Sequence, residues 1–468
     1  MAVSDEFDVI VLGGGPGGYA AALRAAQLDL SVGLVEKDKI GGTCLHRGCI
    51  PTKALLHAAE VADATRESAQ FGIKADFGGV DMAAVNSYKD GVVTKGYRGL
   101  QGLIKAAKKI TVVEGEGRLT ARDTVEVTPV GSNAGQRLLT GRHVVLATGS
   151  YSRTLPGLNI DGERIITSEH ALTLDRVPAS VVVLGGGVIG CEFASVWRSF
   201  GAEVTIVEAL PRLLATEDED SSKQLQRAFR RRGINALIGQ PFENVEYTET
   251  GVKVTVAGGQ TVEAELMLVA VGRGAVTDGL GYEQQGVTVE RELVITDERL
   301  RTGVPGVYAV GDIVPGPQLA HRGFQQGIFV AEEIAGLNPP AIDEDGIPRV
   351  TYCDPEVASV GLTELRAREQ YGADNIQTYI YHLGGNLKSN ILKTQGMVKL
   401  VRVADGPVVG LHMVGSRVSE LVGEAQLIYN WEAFPADVAQ LVHMHPTQGE
   451  AIGEAHLALA GKPLHVHD

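Results

Sequence analysis

The sequence predicts an α/β fold built from two copies of one βαβ unit, with a C-terminal part of α+β character. Three observations predict it. A glycine-rich turn between an apolar strand and an apolar helix occurs at residues 13–18 and again at 185–190. The offset from Gly13 to Gly185 equals the offset from Glu36 to Glu208, 172 residues, so the whole unit recurs and not just its glycines. Towards the C-terminus the pattern changes to alternating apolar strands followed by amphipathic helices. A chain of 468 residues exceeds what one core supports, and about three domains are expected. Apolar residues make up 44% and charged residues 21%, as in ordinary globular proteins. The net charge of −15 argues against nucleic acid or an anionic membrane as the main partner. No signal-peptide pattern and no membrane-spanning apolar run is read from the sequence.

Taken in order, residues 7–12 (FDVIVL) form a buried strand by pattern, and Gly13, Gly15 and Gly18 follow with the spacing G-x-G-x-x-G. An Ala-rich helix covers 19–28, a second strand covers 30–35, and Glu36 closes the unit. This is a Rossmann-like dinucleotide-binding unit with its context intact. The glycines allow a tight turn and close backbone approach, the helix N-terminus faces a pyrophosphate, and the acid meets ribose hydroxyls. The second copy places Gly185, Gly187 and Gly190 before a helix over 191–200, then a strand over 203–207 and Glu208. Two units imply two dinucleotides. Glu208 favours NAD over NADP because a carboxylate repels a 2′-phosphate, although Arg212 nearby acts in the opposite sense.

Between the copies, Ile40 to Leu56 (IGGTCLHRGCIPTKALL) holds Cys44 and Cys49, two of four cysteines. A close pair beside a cofactor unit reads as redox-active, since a thiolate can attack a disulfide and a flavin can take two electrons. Two buried thiols or half of a zinc site are the alternatives. A structural zinc site needs a second ligand pair, which Cys191 and Cys353 do not supply. A helix is expected from Pro51 onward, carrying Lys53, and a second, basic and solvated helix over 85–110. Residues 111–146 read as a β-meander ending in Ala147-Thr148-Gly149-Ser150.

Residues 156–169 read as a domain connection, 235–295 as strands and turns including the strand end at Gly272, and 307–312 (VYAVGD) as a strand ending in Asp312. A helix is expected from Ala320 and His321 to Ile334, a linker over 337–346, strands over 398–403 and 408–414, and helices over 419–429 and 436–442. His443-Met444-His445 is followed by Glu450, an arrangement suited to a base and its orienter. No further ligand joins the two imidazoles, so no metal is expected. His465 and His467 read as a frayed tail.

With GGTCLxxGCIPTK, ATGS, the doubled fingerprint, VYAVGD and HxHPT in this order, the chain resembles the FAD-dependent pyridine nucleotide–disulfide oxidoreductases over nearly its whole length. Within them it is most similar to the lipoamide dehydrogenase branch. The resemblance implies a cytoplasmic homodimer of four-part subunits whose last, interface domain serves dimerisation. It implies FAD binding by 1–150, NAD binding by 151–276, a central domain over 277–348 and an interface domain over 349–468. It implies dihydrolipoamide as substrate, carried on a lipoyl domain of a 2-oxo acid dehydrogenase or glycine cleavage complex.

Residue by residue, Cys44 would be the interchange thiol and Cys49 the charge-transfer thiolate against the flavin. The partner subunit's His445 would be the acid/base, oriented by Glu450. Glu36, Lys53, Gly115, Thr148, Gly149, Ser150, Asp312, Ala320 and His321 fall on the FAD side. Glu192, Glu208 and Gly272 fall on the NAD side. The chain departs from the family at His46-Arg47, at Gln326 where Glu is common, and at Gln448-Gly449 before Glu450. Arg47 adds a cation beside the substrate thiol on this reading, and Gly449 could loosen the orienter. The alternative function is an NAD(P)H-dependent reductase of another small disulfide or a related flavin oxidoreductase. A scaffolding flavoprotein without catalysis is disfavoured by the retained cysteines, His445 and Glu450.

Overall fold

The computed structural model describes residues 4–131 and 135–465, so His467 lies outside the described residues. The chain forms two compact units, each assembled from separated segments. The first comprises Met1–Ala54, Ala84–Arg153 and Arg273–Ile342, and the second Leu55–Ala83, Thr154–Gly272 and Asp343–Asp468.

In the first unit the strands Ile110–Glu114, Val32–Glu36, Ser4–Leu12 and Arg137–Leu146 lie side by side in parallel, and Val307–Ala309 adds to the last of them. The apolar runs are continuous because the central strands are covered on both faces, and Val9, Ile10, Val11, Leu34 and Leu146 are all buried. The expected meander over 111–146 is half right. Glu116–Ala121, Thr124–Thr128 and Arg137–Leu146 are antiparallel neighbours, but Ile110–Glu114 pairs parallel with Val32–Glu36. The long helix Met82–Ala106 precedes it and acts as a crossover, which returns a strand in the parallel sense.

Helix Pro16–Gln27 packs closely against helix Ala320–Ile334 along a face of small residues. A Cβ on Gly327 would stand 2.3 Å from the Gly17 carbonyl oxygen, a contact only glycine permits. The strand expected over 307–312 stops at Ala309, and Asp312 sits in a 3-10 turn, Gly311–Ile313.

The second unit holds a parallel sheet in the order Ile234–Ile238, Glu203–Glu208, Ser180–Leu184, Leu266–Val269, Ile165–Ile166. It also holds a five-stranded antiparallel sheet ordered Arg349–Thr351, Glu356–Gly361, Val408–Gly415, Met397–Val403, Ile376–His382. Helices Val418–Asn430 and Glu450–Leu459 cover that sheet, with Val422, Ala425, Ile452 and Ala455 in its core.

The helix expected over 436–442 is one turn, Pro435–Val438. Of the apolar residues that suggested it, Val438 is in the core, but Leu441 and Val442 face away from it, Val442 being 96% exposed. The chain leaves the helix and His443 meets Glu424 instead, Nε2 to Oε1 at 2.8 Å. Helix Glu219–Arg231 was not expected, yet its signals were present. Asp218 caps it, acids fill the first turn, and Arg230 and Arg231 occupy the last. The tail reading of His465 is corrected as well: its ring and its backbone N–H both bond Glu454.

A buried charge cluster ties the second unit together. Lys399, 2% exposed, places Nζ at 2.9 Å from Asp218, 2.6 Å from Asp220 and 2.7 Å from Glu364. Burial raises the Asp218 and Glu364 carboxyls, but cationic partners outweigh it and hold both below their ordinary range. Their contribution is therefore fully present above the unfolded carboxylate values and is lost as pH falls through the depressed ones. Lys399→Met leaves these acids uncompensated and is expected to cost about 3–5 kcal/mol, read by denaturant unfolding.

Candidate active site

The two glycine turns share one geometry. Gly13 and Gly185 have φ of 109° and 110°, a left-handed region suited to glycine. Gly13 N–H donates to Val35 O at 2.9 Å and Gly185 N–H to Val207 O at 2.8 Å. A Cβ on Gly18 would lie 1.8 Å from Gly13 O, and one on Gly190 1.9 Å from Gly185 O. Each closing acid grips the turn before it. Glu36 accepts from Gly14 N–H at 2.7 Å and Glu208 from Gly186 N–H at 2.6 Å. The second oxygen of each takes another backbone N–H, from Asp38 and Leu210 respectively. A carboxylate offers about four lone-pair sites, so each retains capacity for hydroxyl donors. Burial, outweighing these hydrogen bonds, raises the Glu36 carboxyl above its ordinary value.

Helices Pro16–Gln27 and Val188–Phe200 begin at Gly15 and Gly187 without a side-chain cap and without an acid in the first turn. Nothing lies within 4 Å of a Cβ built on either glycine. Uncapped N–H groups facing open space and a positive helix end make a site for an anion in each unit. The Arg212 guanidinium donates to the carbonyls of Ala215 and Glu217, so it is held by the fold.

Cys44 lies on the short helix Gly42–Arg47, and Cys49 begins the helix Cys49–Arg66 that carries Lys53. Both cysteines are half-buried thiols, and a side-chain hydrogen bond joins them. That bond, burial and the charge of Cys49 push the Cys44 thiol far above its ordinary range, against the pull of Lys53. Two sulfurs in contact carry one negative charge far more readily than two.

The departures at 46 and 47 have partners of their own. His46 Nε2 donates to Ile40 O at 2.9 Å and its ring meets Tyr97 edge-on at 4.9 Å. Arg47 pairs with Asp38.

Asp312 accepts from Ser150 Oγ. Arg273 donates Nε to Ser150 Oγ and Nη2 to Ser150 O, each at 2.8 Å. Arg273 was not singled out in the sequence, and only the fold reveals that it backs Ser150 and Asp312. Gly149 (φ 76°) has open space above it, while the Thr148 hydroxyl donates to Val276 O at 2.6 Å. Gly115 donates its N–H to Glu36 O at 2.9 Å, which sets it beside that acid. Gly272 is likewise left-handed, with φ 112°. Ala320 and His321 open the helix Ala320–Ile334. Gln326, on that helix and fully buried, accepts from Gly311 N–H at 2.7 Å, but its own Nε2 has no partner within the described residues. Glu192 is buried and accepts from Tyr352 N–H at 3.0 Å.

In the second unit, His445 Nδ1 meets Glu450 Oε1 at 2.8 Å, and Thr447 N–H donates to Glu450 Oε2 at 2.7 Å. The His445 side chain is 64% exposed, so its Nε2 is open for a proton. Burial alone raises the Glu450 carboxyl, but Thr447 and His445 outweigh it and hold it below its ordinary value.

Residues 7–327 match the family model described as pyridine nucleotide-disulphide oxidoreductase, and residues 347–456 match its dimerisation domain. The chain belongs to the pyridine nucleotide–disulphide oxidoreductases. This oxidoreductase is 39% identical to the dihydrolipoyl dehydrogenase of Bacillus subtilis, over 99% of this chain and 100% of that one. It is 40% identical to the dihydrolipoyl dehydrogenase of Chlorobaculum tepidum, over 96% of each chain. Among solved structures, LpdA of Mycobacterium tuberculosis superposes with a TM-score of 0.89 at 26% identity, over 97% of this chain and 99% of that one. The cofactors of the oxidoreductase are FAD and NAD. The residues present fit them: two uncapped glycine-flanked helix starts, each with an acid at ribose distance along the chain, match two dinucleotides. Among the described residues no helix is long and apolar enough to cross a membrane.

Proposed function

We propose that the chain oxidises dihydrolipoamide to lipoamide with NAD+ as final acceptor, as a cytoplasmic homodimer. The observation that carries this reading is the Cys44–Cys49 contact within a chain that matches dihydrolipoyl dehydrogenases end to end. The domain assignment adopted is FAD binding by 1–150, NAD binding by 151–276, a central domain over 277–348 and an interface domain over 349–468.

The partner subunit's His445 takes a proton from one substrate thiol at Nε2, the nitrogen that Glu450 leaves free. The substrate sulfur attacks Cys44 in the oxidised pair. The Cys44–Cys49 bond breaks, and its electron pair leaves on Cys49 as a thiolate. The second substrate thiol loses its proton as its sulfur attacks the first, closing the lipoamide ring; Cys44 is released and takes up that proton, while the first proton stays on His445. The chain is left as a thiol on Cys44 beside a charged Cys49, one negative charge shared by two sulfurs in contact. FAD, when bound, accepts the electron pair from the dithiol and passes it as hydride to NAD+. Glu36, Lys53, Gly115, Thr148, Gly149, Ser150, Asp312, Ala320 and His321 are proposed to hold FAD, and Glu192, Glu208 and Gly272 to hold NAD. The lipoyl group is proposed to arrive on a lipoyl domain of a 2-oxo acid dehydrogenase or glycine cleavage complex.

The test is anaerobic mixing of the yellow protein with one equivalent of dihydrolipoamide, then NAD+. A long-wavelength charge-transfer band followed by NADH formation is expected. A band raised by NADPH, with dihydrolipoamide inert, would move the substrate to another small disulfide.

A further inference from the structure

We propose that Asn386 is a positioning residue for the His445–Glu450 pair, acting through the backbone of Thr447; this rests on the function proposed for that pair. Asn386 is 3% exposed and caps the helix Leu387–Ile391. Its Oδ1 accepts from Ser389 N–H at 2.8 Å and from Ser389 Oγ at 3.0 Å. Its Nδ2 crosses to the loop that carries the base and donates to Thr447 O at 2.9 Å. Thr447 is thereby held at both backbone groups, its carbonyl by Asn386 and its N–H by Glu450. Glu450 turns its other oxygen to His445.

The residue type follows from the two tasks. Ser, Thr or Asp would cap the helix equally well, since capping needs only an acceptor. Reaching a carbonyl oxygen at the same time needs a donor on a separate atom: aspartate has none, serine and threonine have a single oxygen, and the asparagine amide carries both groups. Within the loop, Thr447 Oγ1 donates to Met444 O at 2.7 Å. Gln448 buries an Nε2 with no partner among the described residues, and Gly449 adds no side chain. A further tie on Thr447 thus comes from Asn386, sixty-one positions earlier in the chain.

Asn386→Asp tests this in the holoenzyme. It preserves size and the capping acceptor, and it replaces the donor with an oxygen facing the Thr447 carbonyl. Asn386→Ser, which caps without reaching Thr447, is the second variant. For both, flavin reduction by dihydrolipoamide is expected to slow about tenfold, because displacing a catalytic group by a fraction of an ångström has that scale of effect. KM for dihydrolipoamide, flavin reduction by NADH, FAD content and melting temperature are expected to stay near native, since none of them uses His445. Native rates with dihydrolipoamide in both variants would overturn the proposal. So would equal slowing of both half-reactions with a lowered melting temperature, which marks a merely structural residue. Failure of the underlying function is distinguishable, because the native control would then be inert to dihydrolipoamide while still reduced by NADH, and the proposal would fall with it.

Discussion

Cys44→Ser is expected to lower kcat/KM for dihydrolipoamide by more than about a thousandfold, the scale seen when a covalent nucleophile is removed. The substrate sulfur must find an electrophilic sulfur, and the hydroxyl of serine cannot enter a disulfide. FAD content and the dimer are expected to stay native, because Cys44 is half-buried on a short helix and contributes no core packing. Without its partner Cys49 cannot be oxidised to the pair, so the resting variant should already show the long-wavelength band. Cys49→Ser should lose the same turnover and show no band under any reductant. Unchanged turnover in Cys44→Ser would sink the disulfide mechanism. Absorbance spectra with stopped-flow reduction give both readings.

His445→Gln is expected to slow reduction by dihydrolipoamide by roughly 10²–10⁴-fold, the range that general acid–base catalysis supplies. Reduction by NADH should be nearly unchanged, since no substrate thiol loses a proton in that half-reaction. The acid side of the pH profile has a definable sign. Glu450 is depressed in the folded state, so its charge on His445 is complete above the ordinary carboxylate value and is lost only as pH falls through the lowered one. Glu450→Gln removes that orienting charge and should lose less than His445→Gln, since the imidazole remains. Equal losses in both half-reactions of His445→Gln would point to damaged structure and remove His445 from the proton transfer.

The parts of the site legible in the sequence are those whose chemistry is local. The turn at 13–18, its acid at 36, and their copies at 185–190 and 208 lie within single βαβ units. Spacing along the chain dictates their geometry, and the two copies agree in φ and in hydrogen bonds. Cys44 with Cys49, and His445 with Glu450, are also separated by about one or two helical turns. The one-turn helix Pro435–Val438 was overestimated because apolar periodicity does not tell a core from an exposed face. The sequence likewise placed Arg47 near the cysteines without showing its pairing with Asp38, since charge near a motif does not say which acid it will meet.

By itself the sequence determined the doubled dinucleotide unit and brought forward the Cys44–Cys49 and His445–Glu450 pairs, because each needs only residue types at short spacing. Tertiary structure alone decided that Arg273 stands behind Ser150 and Asp312, that His443 meets Glu424, and that Asn386 grips Thr447. These contacts join segments 19 to 123 positions apart. A hydrogen bond requires its two atoms within about 3 Å, and for such distant segments only the packing of sheets and helices brings them there.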